Sequence, residues 1–192
     1  MRSIAASVVL AVVVAAWASA AQPAKPKDQT PAAGRLAVIE TARGTIKIVL
    51  YEKDAPITTK NFIELANRKF YDGLTFHRVE EWVVQGGDPK GDGTGGSDKT
   101  IKLETKPGLG FEKPYTVGMA RTPDPDSATS QFFITKQPAA WLSGQYAVFG
   151  RVLEGQQVVD KLQKGDVMKT VRIVARPTPK KPAPRKAEKA KR

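Results

Sequence analysis

The segment from Phe76 to Asp88, FHRVEEWVVQGGD, combines the only histidine of the chain with an adjacent arginine, an apolar run and two glycines. His77 suggests a general base, but a catalytic triad needs a nucleophile and an orienting acid, and the chain has no G-x-S-x-G elbow. A lone histidine in a strand is more often structural. Arg78 cannot lose its proton, so within an apolar strand it must be paired or solvated. We interpret Arg78 either as a salt-bridge partner of a neighbouring glutamate or as a cation presented to a ligand at an apolar cleft.

A glycine-rich run, GDGTGG from Gly91 to Gly96, has the letters of a dinucleotide-binding fingerprint. That fingerprint binds a pyrophosphate only where it leaves a strand and opens a helix, whereas this run leads into the strand-like residues TIKLE. We therefore predict a surface loop and no nucleotide. The chain has no cysteine and one histidine, which disfavours a zinc site built from the usual ligands. We expect neither a metal nor a cofactor.

The basic charge of the chain is concentrated at its ends. The formal net charge is +12, and eight cations against Glu188 give residues 176–192 a net charge of +7. Residues 35–175 carry only +3, a balance that does not indicate a nucleic-acid partner. The Lys- and Pro-rich tail over 176–192 cannot build a core, so we predict that it is disordered. Weak contact with an anionic surface and a purely solubilising role are equally compatible with its charge.

The first 34 residues have the pattern of an export signal followed by a linker. Arg2 precedes an apolar stretch from Ile4 to Trp17, and small residues at 18–20 form an A-x-A-like cleavage site. The apolar stretch is shorter than the ~20 residues that a membrane-spanning helix needs. We predict a signal peptide over residues 1–20, a Pro- and Ala-rich linker over 21–34, and a periplasmic or secreted protein.

Residues 35–175 are predicted to form one domain with a mostly period-two apolar pattern. A turn at Arg43 and Gly44 predicts a hairpin. Phe62, Leu65 and Ala66 share one helical face, and Thr58 or Thr59 can cap that helix. A second helix fits residues 155–163, and further short strands fit 74–79, 82–85, 100–104, 115–120, 131–135, 146–152 and 170–175. Many short strands with Gly- and Pro-rich turns and two isolated helices favour a mainly β fold, a closed antiparallel barrel with helical lids.

Six separated motifs then occur in a characteristic order: TFHRV, VVQGGDP, GTGG, VGMAR, DSATSQFFI and WLSGQYAVFGRV. In this order and near this spacing they resemble the cyclophilin-type peptidyl-prolyl isomerases, from about Val38 to Val174. Within that family the chain is most similar to the bacterial secreted or periplasmic group. The resemblance implies a closed eight-stranded antiparallel β-barrel capped by two α-helices. It also implies an enzyme that accelerates rotation of X-Pro bonds in extracytoplasmic client proteins.

The resemblance also assigns roles to individual residues. Arg78 corresponds to the catalytic arginine of the family, and His77 to a nearby histidine that is not the catalyst. Where many relatives have Ile-Pro-Gly before an aromatic residue, this chain has Glu80 and Glu81 and is one residue shorter. Ten further residues are implied to bind the substrate: Trp82, Val83, Gln85, Ala120, Arg121, Gln131, Phe133, Trp141, Leu142 and Tyr146.

The implied chemistry needs no covalent step. An imide bond before proline is planar because the nitrogen lone pair delocalises into the carbonyl, so a cation that donates toward this nitrogen favours the twisted state. Arg78 is charged throughout the physiological range and can act in this way. The expected partners are proline-containing polypeptides and cyclosporin-like cyclic peptides, and we expect a monomer. The alternative is a proline-peptide binding module or chaperone with little turnover, tethered by its basic tail.

Overall fold

The computed structural model describes residues 34–176, and within them eight strands form one antiparallel sheet. The predicted signal peptide, linker and basic tail lie outside this range, apart from Gly34 and Arg176 at its ends. The mainly β fold with eight strands and two helices is confirmed. The strands are β1 (Arg35–Thr41), β2 (Gly44–Leu50), β3 (Arg78–Val79), β4 (Val83–Gly86), β5 (Thr116–Met119), β6 (Phe132–Thr135), β7 (Val148–Glu154) and β8 (Thr170–Ala175); the helices are α1 (Pro56–Asn67) and α2 (Gln156–Lys161).

The sheet is an open half-barrel, so the prediction of a closed barrel is wrong. Its hydrogen-bonded order is β3-β4-β6-β5-β7-β2-β1-β8, which leaves β3 and β8 as the two ends. The segments that meet across the gap are the loops before these strands, which share backbone hydrogen bonds and one isolated bridge between Thr75 and Val167. Gly73 and Gly165 in these loops have φ values of +86° and +91°, a left-handed conformation that interrupts extended backbone. A regular ladder therefore cannot continue from β3 to β8.

Helix α1 covers one face of the sheet with the apolar side that the sequence predicts. Phe62, Leu65 and Ala66 are all buried in the main core. Pro56 occupies the first turn, where its missing N–H costs no hydrogen bond. Neither threonine caps the helix with its side chain; instead the backbone N–H groups of Ile57 and Thr58 donate to the carboxylate of Glu104 at 3.1 and 3.0 Å.

The remaining local predictions are met in part. The hairpin at Arg43 and Gly44 joins β1 to β2, and α2 lies within the second predicted helix. Residues 100–104 do not form a strand, because Ile101 makes only one isolated bridge, to Ala128. No helix between residues 34 and 176 is long and apolar enough to cross a membrane. The same range contains no group of three or more His, Cys, Asp or Glu side chains placed to hold a metal ion.

Candidate active site

One row of cross-strand pairs positions the centre of the candidate site. Residues directly opposite each other in neighbouring strands project from the same face of a sheet. The register across β3, β4, β6 and β5 places four residues in such a row: Arg78, Gln85, Phe133 and Gly118. The hairpin of β3 and β4 thus brings a cation and an amide to the same surface as an aromatic ring from β6, a strand far away in sequence. A methyl group at Gly118 would collide with the Phe133 ring, so the glycine makes room for this ring.

A cavity of about 210 Å³ opens on this face and contains most of the predicted site. Two predicted residues lie just outside it: Gln131 contacts Gln85, and Trp141 packs on Trp82 at the rim. The structure therefore brings all the predicted site residues into one region, although their roles stay predictions. The cavity is lined by Arg78, Trp82, Val83, Gln85, Ala120, Arg121, Phe133, Leu142 and Tyr146.

The floor of the cavity is aromatic and rigidly packed. Phe133 is 5 % exposed and stacks on Phe111, with ring centroids 5.4 Å apart. The ring of Tyr146 meets Phe133 edge-on at 5.6 Å. Phe111 is fully buried and was not predicted, because nothing in its local sequence distinguishes it from an ordinary core residue. The result is an apolar surface that suits a small aliphatic ring.

Arg78 lies at the edge of the cavity with all three guanidinium nitrogens engaged. Its Nε and Nη2 donate to the two carboxylate oxygens of Glu80 at 2.7 and 3.1 Å. Its Nη1 donates to Oε1 of Gln85 at 3.3 Å, and its guanidinium carbon lies 5.4 Å from the ring centroid of Trp82. The hydrogen bonds from Arg78 lower the pKa of Glu80. The predicted pairing with a neighbouring glutamate is therefore confirmed. Arg78 also lines the cavity, while its presentation to a ligand stays a prediction.

A relay of amides connects Arg78 to the glycine-rich loop. Gln85 donates from Nε2 to Oε1 of Gln131 at 2.8 Å, and Gln131 donates from Nε2 to the carbonyls of Gly93 and Gly95 at 3.0 and 2.7 Å. These bonds fix the orientation of the Gln85 amide, so its oxygen faces Arg78. The glycine-rich run is thus a loop that supports the site.

That loop is organised by a buried carboxylate. Asp88 is 1 % exposed and accepts backbone N–H bonds from Lys90, Asp92 and Gly93. Burial raises the pKa of Asp88, but these backbone hydrogen bonds outweigh it and hold the pKa below its ordinary value. The charge of Asp88 therefore maintains the loop geometry against which Gln131 rests.

Arg121 holds the opposite wall of the cavity. Its Nε and Nη2 donate to the carbonyl of Gln145 at 2.9 and 2.8 Å, and its guanidinium lies 4.9 Å from the ring centroid of Tyr146. Ala120 continues from β5, and its N–H donates to the carbonyl of Gln131 at 2.9 Å. A second cavity of about 290 Å³ adjoins the first across Gln85, Ala120 and Arg121. The wall therefore separates two neighbouring depressions on one surface.

His77 lies away from this cavity. It alternates with Arg78 along the chain, so the two side chains project from opposite faces. The imidazole is buried, and within the described residues neither ring nitrogen has a hydrogen-bond partner. Burial lowers the pKa of His77. A neutral, unpaired imidazole that does not line the cavity is consistent with a structural role.

Comparison with known proteins shows which protein family this chain belongs to. The family model described as "Cyclophilin type peptidyl-prolyl cis-trans isomerase/CLD" matches residues 36–181. The chain therefore belongs to the cyclophilin-type peptidyl-prolyl cis-trans isomerase family.

Curated relatives of both bacterial and eukaryotic origin are similar to this chain. Peptidyl-prolyl cis-trans isomerase B of Bacillus subtilis is 46% identical over 129 residues, which cover 67% of this chain and 90% of that protein. Peptidyl-prolyl cis-trans isomerase-like 1 of Mus musculus is 43% identical over 128 residues, covering 65% of this chain and 76% of that protein. Peptidyl-prolyl cis-trans isomerase 9 of Schizosaccharomyces pombe is 40% identical over 140 residues, 71% of this chain but only 23% of that longer protein.

Solved structures share the fold. The crystal structure of a cyclophilin-type peptidyl-prolyl cis-trans isomerase of Cryptosporidium parvum has a TM-score of 0.69 and 27% identity, and it covers 74% of this chain and 99% of its own. A second crystal structure of that protein, obtained in the presence of the dipeptide Ala-Pro, has a TM-score of 0.65 at the same identity and coverage.

Proposed function

We propose that this chain accelerates the rotation of X-Pro bonds in extracytoplasmic polypeptides, with Arg78 stabilising the twisted imide above the Phe133 floor. The observation that supports this most strongly is the cavity itself. It places the permanent charge of Arg78 at the edge of a buried aromatic floor, and bond rotation needs no other reactive group. A proline ring can bind in the apolar part while its preceding peptide bond lies beside the guanidinium.

The hydrogen bonds of Arg78 leave donors for this task. A guanidinium has five N–H groups, one on Nε and two on each terminal nitrogen. One N–H of each nitrogen is used by Glu80 or Gln85, so Nη1 and Nη2 each keep one. These N–H groups can donate to the imide nitrogen as it pyramidalises and to a carbonyl of the substrate. Proximity to the apolar floor reduces water access and strengthens such bonds.

The required rate enhancement is modest. Spontaneous X-Pro exchange takes ~10 to 100 s, so a rise from ~10⁻² to ~10² per second needs about 5 to 6 kcal/mol of transition-state stabilisation. Hydrogen bonds to a charged group contribute about 1.5 to 3 kcal/mol each. One preorganised cation together with orientation of the bound ring is therefore sufficient in magnitude.

An isomerase assay on a short X-Pro peptide tests this proposal directly. We expect faster cis-to-trans relaxation with the protein present and loss of most of this effect when Arg78 is replaced. Saturable peptide binding without any acceleration would instead support the alternative of a binding module or chaperone. The same assay at a range of protein concentrations separates a monomer from an assembly that is active only when associated.

We further propose export from the cytoplasm and membership of the bacterial secreted group. The support is the pattern of residues 1–20, with a basic start, an apolar stretch and a small-residue cleavage site. Fusing residues 1–34 to a phosphatase that is active only outside the cytoplasm tests the export, and a fusion that lacks residues 4–17 is the control. An inactive full-length fusion contradicts the proposal. Clients are then proline-containing polypeptides that fold outside the cytoplasm.

A further inference from the structure

Glu80 occupies a position that the shortened β3–β4 connection determines. The backbone N–H of Glu80 donates to the carbonyl of Val83 at 2.8 Å, so Glu81 and Trp82 form a two-residue hairpin loop. The register pairs Arg78 with Gln85 and places Glu80 opposite Val83, so Glu80 projects from the same face as Arg78. A change of one residue in the register would turn Arg78 and Glu80 together to the opposite face, away from Gln85. The short loop thus places an acid beside the candidate catalyst.

The contact between Glu80 and Arg78 is a two-point fork. Both carboxylate oxygens accept a hydrogen bond, from Nε at 2.7 Å and from Nη2 at 3.1 Å. Gln85 holds the third nitrogen, Nη1, and Trp82 lies 5.4 Å from the guanidinium carbon. Bonds to all three nitrogens define the plane and the rotation of the guanidinium, and with them the directions of the remaining N–H groups.

We propose that Glu80 is a positioning residue for the isomerisation: it holds the Arg78 guanidinium in the orientation that directs its remaining N–H groups at the bound imide. This inference rests on the proposed function, because it assumes that Arg78 acts on the imide. Glu80 itself need not touch the substrate. Its contribution is to orient another side chain before the substrate arrives.

Glu80 has two opposite effects on the rate of isomerisation. Its negative charge reduces the field of Arg78, which opposes catalysis, whereas its fork geometry orders a side chain with many rotamers, which favours catalysis. The two side chains are 41% and 46% exposed, so water and salt screen the charge effect. Water and salt reduce a charge effect that acts over a distance more than they weaken two hydrogen bonds made in direct contact. The ordering effect is therefore the larger one, and removing Glu80 should slow the reaction.

The test uses three single variants, one double variant and a matched control. Glu80→Ala removes the fork and should lower kcat by about three- to tenfold, a size typical of coupling between residues in contact, while KM changes by less than about twofold. Glu80→Gln keeps one acceptor oxygen and should lose less. Glu81→Gln removes the same charge from the next residue, whose carboxylate contacts Gln137 rather than Arg78, and should retain the wild-type kcat. Each variant is measured on one short X-Pro peptide.

A double-mutant cycle identifies the route of the effect. If Glu80 acts only through Arg78, the variant with both residues replaced by alanine should be no slower than Arg78→Ala alone. The inference would be overturned if the double variant were slower than Arg78→Ala, so that the two losses multiply. It would also be overturned if Glu80→Gln and Glu81→Gln lost equal activity, or if Glu80→Ala were as fast as or faster than the wild type. Wild-type-like turnover of Arg78→Ala would instead overturn the proposed function, so the two failures are distinguishable.

Discussion

Replacing Arg78 by alanine is the most direct test of the proposed mechanism, because it removes the cation that lies beside Gln85 at the edge of the cavity and keeps one N–H group on each terminal nitrogen. Arg121, the other arginine of the cavity, makes four hydrogen bonds to carbonyl oxygens, those of Gln145, Thr122 and Pro123. Its guanidinium also packs on Tyr146. It is therefore poorly placed to replace Arg78. We expect Arg78→Ala to lose most of the catalysis.

The expected size of this loss follows from one charge-assisted interaction. A hydrogen bond to a charged group contributes about 1.5 to 3 kcal/mol, which corresponds to a rate factor of about 10 to 150. Arg78 has 41% of its side chain exposed, so partial screening by water favours the lower part of this range. The fold should stay intact, because a half-exposed ion pair contributes little to folding.

The measurement is the relaxation of a short X-Pro peptide at about 10 °C, where the uncatalysed exchange takes minutes and is easily subtracted. Arg35→Ala is the matched control. Arg35 forms the same kind of fork, from Nε and Nη2 to Glu52, on β1 and outside the cavity. Its loss should leave the rate unchanged. A less than about threefold loss in Arg78→Ala, or an equal loss in both variants, would refute the assignment of Arg78 as the catalyst.

Three further predictions concern pH, a cyclic ligand and the tail. Turnover should be nearly constant from about pH 5.5 to 8.5 because the proposed mechanism transfers no proton and a guanidinium is permanently charged. The free energy of unfolding should nevertheless decrease as the pH drops below about 6.5. Burial lowers the pKa of His77 in the folded state, so the unfolded state binds this proton first. The expected slope is up to ~1.4 kcal/mol per pH unit until the folded-state pKa is passed. Denaturant titrations of wild type and His77→Gln measure this slope, which should disappear in the variant. An inflection of turnover below pH 6.5 that the variant abolishes would make His77 a participant in catalysis. Trp141 is 60% exposed and packs on Trp82 at the cavity rim. A cyclosporin-like cyclic peptide should therefore change tryptophan fluorescence saturably and inhibit turnover. The absence of both effects at micromolar ligand would contradict this prediction. A chain that ends at Ala175, the last residue of β8, should keep its activity on a short peptide. It should differ from the full chain only in its salt-sensitive retention on anionic lipid or polymer. Loss of peptide turnover would show that residues beyond Ala175 contribute to the domain.

Local sequence patterns were sufficient for much of the fold. Helix α1 follows from the spacing of Phe62, Leu65 and Ala66, and the first hairpin follows from the turn at Arg43 and Gly44. Both elements depend on interactions between residues that are close in sequence, so their periodicity records which side is buried. The motifs around Arg78 and Phe133 likewise identify the region of the cavity, through their resemblance to a family.

Features that depend on distant parts of the chain were not predictable in this way. The carboxylate of Glu104 bonds the start of α1 from 46 to 47 residues away, where the sequence suggested a local threonine cap. The strand predicted over residues 100–104 is only one bridge, since β-propensity does not supply a pairing partner.

Closure of the sheet and the environment of Arg78 were also decided in three dimensions. The barrel stays open because irregular loops at Gly73 and Gly165, rather than β3 and β8, meet at its edge. The sequence shows that Arg78 needs a partner or a ligand, because a guanidinium keeps its charge in any surroundings. Strand alternation places Glu80 on the same face as Arg78, and the register of the β3–β4 hairpin decides that this face is the one that carries Gln85 and borders the cavity.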